Sequence, residues 1–334
     1  MAMRFTATVF TGVAMCAALM LTGCMPPADD SALVPESESE RESVSAPAAV
    51  PASEVLAAVQ AATTVRDLPP TITNDALLAT SGDYTEQWGV EGCKPDLEVT
   101  RLDDLEPCTL GDPDGERTMV VIGDSAASMW HEGFDLIGQR NGWRVLMLAK
   151  SNCGPAALTY YQYQLEREYT ECDVWQDWRM QTIAAENADI VVLTGAYDGG
   201  NQGPGRHTTP QIWRDALVQT IEQLPAGTAA VLLGNIPRPS ASPSDCLAEN
   251  PSDITRCATP AAEALPDQTP WLEAAAQTGQ TYVDIDPWFC TEVCPAVVAD
   301  QLVYAGRYHI SGQYARYLSG AIEEAMTPAL TAPR

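Results

Sequence analysis

Val120-Val121-Ile122-Gly123-Asp124-Ser125 is the stretch on which the fold turns. Consecutive aliphatic residues without polar alternation describe a strand buried on both faces, as parallel sheets require. Gly-Asp-Ser breaks the run as a turn, and a helical pattern follows it. Outward from this point, short β-branched runs alternate with longer helical stretches, the signature of a parallel sheet with crossover helices. The spacing predicts strands over Met119–Ile122, Arg144–Leu148, Ile190–Thr194, Ala229–Gly234 and Thr281–Ile285. It predicts helices from after Ser125 to Asn141-Gly142, over Val174–Ala185, from a Thr209-Pro210 cap to Leu224, over Trp271–Gln277 and over Ser311–Met326. An α/β three-layer α/β/α sandwich around a five-stranded, mainly parallel sheet accounts for all of them, and no internal repeat is evident.

Ser125 falls beyond the carboxyl end of its strand, where open α/β sheets bind ligands. Its backbone N–H, at a helix N-terminus, would help stabilise an oxyanion. Asp-Ser before a helix is equally ordinary N-cap chemistry, so the motif alone leaves both readings open. A serine hydroxyl becomes a nucleophile only beside a base. The chain holds three histidines. His309, in the loop Tyr304-Ala305-Gly306-Arg307-Tyr308-His309-Ile310-Ser311 before the last helix, is placed to reach Ser125, unless it only packs or caps. His131 sits on the first helix as a packing residue, and His207 follows a glycine-rich loop from Gly199 to Gly205. That loop lacks the Gly-Lys-Ser/Thr of a phosphate cradle.

The 334 residues carry 45 Asp+Glu against 18 Lys+Arg, a net charge of −27, and include only two lysines, Lys94 and Lys150. Such an acidic chain gains nothing from counterion release, which excludes nucleic acid as a partner and argues against polyanionic substrates more than against neutral glycans. Residues 1–23 read as an export signal: Arg4, an apolar stretch too short to span a bilayer, then Leu21-Thr22-Gly23-Cys24. That tetrapeptide resembles the lipobox of bacterial lipoproteins. The resemblance implies a lipidated Cys24, a membrane contact made only through the lipid anchor, and an extracytoplasmic location in a bacterium. Residues 24–90 are rich in Ala, Pro, Ser and Glu, including the run Glu36 to Ser43, and are expected to form a disordered tether ahead of the domain at 91–334. A short helix over Val55–Val65 is the one element that this segment suggests.

Eight cysteines remain for the domain: Cys93, Cys108, Cys153, Cys172, Cys246, Cys257, Cys290 and Cys294. An even number in an exported chain points to disulfides, with on the order of a hundred possible connectivities. Four sequential pairs are expected, because each closes a local loop. No Cys-x-x-Cys spacing occurs, so no metal site and no cofactor is expected.

Gly123-Asp124-Ser125, Trp130, and the late Tyr304 to His309-Ile310-Ser311 together resemble the SGNH (GDSL-type) hydrolases. The likeness is greatest to the extracytoplasmic SGNH domain of membrane acyltransferases that O-acylate envelope glycans. Cys153-Gly154-Pro155, Ile236-Pro237-Arg238-Pro239 with Cys246-Leu247, and Trp288-Phe289-Cys290 with Cys294-Pro295 extend the likeness over roughly Thr118 to Met326. The resemblance implies Ser125 as nucleophile, His309 as base, and Asp124, Gly154, Gly195 and Tyr197 at the oxyanion or pocket positions. It also implies acyl esters of an envelope glycan as substrates, and a membrane acyltransferase as partner. Three positions depart from the pattern: Gly306 stands where an aspartate orients the histidine, Tyr197 where an asparagine serves the oxyanion, and Ala126 where a histidine often follows the serine. In the protease template, loss of the orienting carboxylate costs roughly 10⁴-fold. A backbone carbonyl or a carboxylate such as Asp300 would have to replace it, and the alternative is a non-catalytic SGNH-like module that binds glycan or scaffolds the acyltransferase.

Overall fold

Successive residues of the central strands divide between two apolar layers. Met119, Val121, Val145, Met147 and Val192 enter one, while Val120, Ile122, Leu146, Leu148 and Val191 enter the other. Both faces are dry, which explains why these strands read as unbroken apolar runs. The computed structural model describes residues 46–82, 92–197, 203 and 207–332. The signal segment with Cys24, the acidic run, and Gly199, Gly200 and Gly205 lie outside the described residues.

The sheet contains β1 (Thr109–Gly111), β2 (Arg117–Gly123), β3 (Trp143–Ala149), β4 (Ile190–Leu193), β5 (Ala229–Leu233) and β6 (Thr281–Val283) in the order β1-β3-β2-β4-β5-β6. Every neighbouring pair is parallel except β1, which runs antiparallel to β3. The five expected strands are therefore present, and β1 is a sixth. Its three residues, Thr-Leu-Gly at a sheet edge, are too few to show a period.

Nine of the ten α-helices among the described residues are α1 (Ala52–Ala62), α2 (Asn74–Ala79), α3 (Ser125–Ser128), α4 (His131–Asn141), α5 (Thr170–Ala185), α6 (Pro210–Glu222), α7 (Pro243–Glu249), α8 (Thr269–Thr278) and α9 (Gly312–Leu330), and the tenth is the single turn Ala261–Ala264. Phe134 and Ile137 of α4 and Leu318 and Ile322 of α9 cover one face, and Trp175 of α5, Trp213 of α6 and Trp271 of α8 cover the other. This is the three-layer sandwich. Thr209 caps α6 by accepting from the Ile212 amide at 3.2 Å, and Gly142 closes α4 at φ 66°, as their sequence positions predict.

The helix expected to run unbroken from Ser125 to Asn141 is instead two. The Trp130 amide donates to the Ala127 carbonyl at 3.1 Å, a tighter turn that redirects the chain. The change of direction seats the fully buried Trp130 indole edge-on to Phe289, with centroids 6.5 Å apart. It also lays α4 against α9.

Residues 46–82 were expected to belong to a solvated tether, and there the structure differs. Val55 and Val59 of α1 are completely buried in the same layer as α9, and the Gly320 backbone packs against that of Val50. Leu77 of α2 is buried with Leu247 and Ile254. Average composition concealed an apolar stripe, Val55, Val59 and Ala62, at i, i+4 and i+7. Replacing Val59 with Asp is expected to cost about 3 kcal/mol or more. A melting temperature lowered by roughly 5–10 °C in circular dichroism would follow. A true tether would show no shift.

Candidate active site

The sheet order reverses at β2: the chain steps outward to β3, then crosses over to β4. A crevice forms at such a switch point, beyond the carboxyl ends of the strands. Gly123 ends β2 at φ 153°, and a Cβ there would collide with the Thr194 carbonyl at the end of β4. Only glycine lets the two strand ends approach so closely. Asp124 follows, 5% exposed, with both carboxylate oxygens engaged: Oδ1 accepts from the Ala126 amide at 2.8 Å and Oδ2 from the Ala196 amide at 2.9 Å. The cap reading of this turn thus falls to Asp124, and Ser125 is left half-buried at the start of a single helical turn.

The histidine arrives from the far end of the chain. Strands β7 (Tyr304–Ala305) and β8 (His309–Ile310) form a hairpin that pairs Ala305 with His309. Gly306 opens its loop at φ 68°, a left-handed conformation that disfavours the aspartate implied for this position. The Gly306 amide donates to the Thr80 carbonyl at 3.0 Å, and the Thr80 hydroxyl lies 2.6 Å from that of Ser244 on α7. The amide of Ile310 meets the Met129 sulfur at 3.4 Å. Held on both sides, His309 places Nε2 3.0 Å from Ser125 Oγ across 184 residues of sequence. Burial, with the Lys94 and Arg238 charges added, drives the imidazole down to a pKa of about 4. Asp300, the substitute offered by the sequence, is instead exposed in a turn at φ 58°.

Ser125 and His309 open into a cleft of about 680 Å³. One wall is the segment Lys94-Pro95-Asp96-Leu97, and Arg238 and Tyr308 also line the cleft. Ser151, Asn152 and Gln164 complete the rim. Behind the first wall lies Lys150, fully buried, whose Nζ donates to the carbonyls of Asp96, Leu97 and Val99. Desolvation brings its pKa down to about 8. Composition alone singled out the two lysines of the chain. One lines the cleft and the other props the wall that carries it.

The remaining expected positions separate. Tyr197 lines a smaller pocket beside Arg238, its ring against Trp213 and its hydroxyl donating to the Thr208 carbonyl at 3.1 Å. Gly154 does not line the cleft: its carbonyl accepts from the buried Arg179 at 2.9 Å, and a Cβ would strike the Tyr160 hydroxyl. Gly195 packs against Pro155 and the Asp124 carboxylate. Close packing leaves no room for a side chain at either position. His131 turns Nδ1 back to the Ser128 carbonyl at 3.0 Å, and His207 is exposed. The cysteines pair as Cys93–Cys108, Cys153–Cys172, Cys246–Cys257 and Cys290–Cys294, the four sequential pairs. Among the described residues no group of three or more His, Cys, Asp or Glu is arranged to hold a metal ion, and no helix is long and apolar enough to cross a membrane.

The site belongs to a doubly wound α/β sandwich with a hydroxyl and imidazole paired at the switch point. The chain is a member of the SGNH domain family, of the kind fused to AT3 domains, whose model matches residues 79–324. The periplasmic domain of the lipopolysaccharide acetyltransferase from Salmonella ser. Paratyphi A shares the fold at a TM-score of 0.53 and 17% identity, over 70% of this chain and 91% of that one. Est24, a carbohydrate acetylesterase from Sinorhizobium meliloti, aligns at a TM-score of 0.40 and 12% identity, over 64% and 99%. A GDSL-like lipase from Bacteroides thetaiotaomicron aligns at 0.39 and 12%, over 64% and 89%. No match was found among curated protein sequences.

The environment of His309 makes a measurable statement. Because its pKa lies below the ordinary imidazole value of 6.5, the ring stays neutral as pH falls and protonates only near 4. In an NMR titration His309 is expected to show a midpoint well under 5, and a midpoint near 6.5 would contradict the buried setting described here.

Proposed function

We propose that this chain is an extracytoplasmic, lipid-anchored acyl-ester hydrolase or O-acyltransferase acting on cell-envelope glycans, with Ser125 as nucleophile and His309 as general base. The observation that carries the reading is the 3.0 Å approach of His309 Nε2 to Ser125 Oγ at the cleft floor. A neutral imidazole at that distance takes the hydroxyl proton as Oγ attacks the acyl carbonyl. Collapse of the tetrahedral intermediate returns the proton to the leaving alcohol and leaves the acyl group on Ser125. Water or a sugar hydroxyl, deprotonated by the same ring, then attacks the acyl-enzyme and regenerates the serine.

Kinship with SGNH domains fused to AT3 domains supports an acyl group as the thing moved and a membrane acyltransferase as the partner. The name of the Salmonella relative, an acetyltransferase of lipopolysaccharide with a periplasmic domain, supports an envelope glycan and an extracytoplasmic setting. Four disulfides fit that setting. The lipid on Cys24 rests on the sequence alone.

Gly306 and Tyr197 favour a second reading, a glycan-binding module without turnover, because neither position supplies the orienting carboxylate or the oxyanion amide. Release of p-nitrophenol from its acetate ester separates the two. The native protein is expected to exceed Ser125→Ala by about 10³-fold or more. Equal rates, together with no fluorophosphonate labelling of Ser125, would leave the binding module.

A further inference from the structure

His309 stands on a support too small to hold itself. The β7–β8 hairpin pairs Tyr304 with Ile310 and Ala305 with His309, and a ladder of two residues per strand is not stable alone. Its placement depends on the segments it touches. The Ile310 amide donates to the Met129 sulfur at 3.4 Å, a weak acceptor, and Arg307 Nε donates to the Pro239 carbonyl at 3.3 Å. The bond from the Gly306 amide to the Thr80 carbonyl, at 3.0 Å, is the shortest of these three.

Thr80 is itself held. It is the residue at which α2 ends, so its carbonyl has no partner within the helix and is available to Gly306. Its hydroxyl, in a residue 5% exposed, donates to the Ala76 carbonyl at 2.8 Å. That uses the one hydroxyl proton, so Ser244 is the donor in the 2.6 Å contact between the two hydroxyls. Ser244, 1% exposed, lies in the first turn of α7, which the Cys246–Cys257 disulfide cross-links to the chain beyond it. The Gly82 amide donates to Asp245 of the same turn at 3.3 Å. Contacts thus run without a gap from a cross-linked helix, through a pair of hydroxyls and one backbone carbonyl, to the residue three positions before His309.

Resting on the reading of His309 as general base, we propose that Thr80 is the positioning residue for that histidine, acting through its carbonyl on the Gly306 amide. Glycine adopts the left-handed φ of this loop at least cost, so position 306 gives up a side chain and contributes an amide instead. Thr80 supplies placement without charge. Loss of the anchor frees the hairpin tip, and Nε2 leaves the 3.0 Å approach to Ser125 Oγ on which proton transfer depends. Thr80 is not among the residues that line the cleft, so the effect falls on kcat and not on KM.

The test uses the whole protein. Thr80→Val keeps the side-chain shape and removes the hydroxyl, and Thr80→Ser keeps the hydroxyl. With p-nitrophenyl acetate, Thr80→Val is expected to lower kcat by about tenfold or more at unchanged KM, and Thr80→Ser to stay within about twofold of the native value. Hydrogen exchange of the Gly306 amide, followed by NMR, reads the anchor without turnover. It should quicken by about tenfold in Thr80→Val and stay native in Thr80→Ser. Ile183→Val, a buried change in the opposite apolar layer, should lower the melting temperature and move neither readout. Ser244→Ala removes the same contact from the α7 side, is expected to move both readouts in the direction of Thr80→Val, and decides the matter if that variant does not fold. Native kcat in Thr80→Val, a loss that serine does not restore, or Gly306 exchange unchanged across the series would overturn the proposal. A native protein no faster than Ser125→Ala, with Gly306 exchange still following the series, would refute the catalytic reading and keep Thr80 as the anchor of the hairpin.

Discussion

One carboxylate ties together the edge of the sheet that carries Ser125. Asp124 spends both oxygens on backbone amides, Ala126 on its own turn and Ala196 on the loop leaving the neighbouring strand. Charge-assisted bonds of this kind contribute about 1.5–3 kcal/mol each, and their directionality matters as much as their strength. They fix the Gly123-Asp124-Ser125 turn relative to β4 and so determine where the serine hydroxyl points. An ionised carboxylate has no hydrogen to donate, so Asp124 acts on the site through the two amides it accepts from.

The histidine side is fixed by a different logic, through chain segments that meet only in the folded state. The β7–β8 hairpin is bounded by Met129 after the Gly-Asp-Ser turn and by Thr80 at the end of α2. Helix α1 and nearly all of α2 precede the family match, which begins at residue 79. An N-terminal strap that the composition disguised therefore contributes to the positioning of His309. The cost of ordering that strap is offset by Val55, Val59 and Leu77, each almost wholly removed from water.

Most of the architecture was legible because its causes are local. Strands buried on both faces spell themselves as aliphatic runs, Thr209 and Gly142 announce helix ends, and eight cysteines in short loops pair with their neighbours. Ser125 and His309 could be named from their places beside helix starts, and their approach needed the folded chain. What escaped has non-local causes. The break at Trp130 depends on Phe289, and the α1 stripe on a partner helix more than 250 residues away. Gly154 and Gly195 are small because Tyr160 and Pro155 crowd them, a neighbourhood no spacing rule encodes. Lys94 and Lys150 carried a compositional signal in their rarity, yet only the fold brings one to the front of a wall and the other behind it.

Lys94 directly follows Cys93, whose bond to Cys108 closes the base of that wall. Asn152, on the rim, directly precedes Cys153, which is bonded to Cys172. Two borders of the cleft are thus cross-linked by bonds that form only where an oxidant is available. A newly made chain in a reducing compartment carries Ser125 and His309 in its sequence but lacks the covalent frame around them. Formation of these two bonds completes the borders of the cleft around Ser125 and His309.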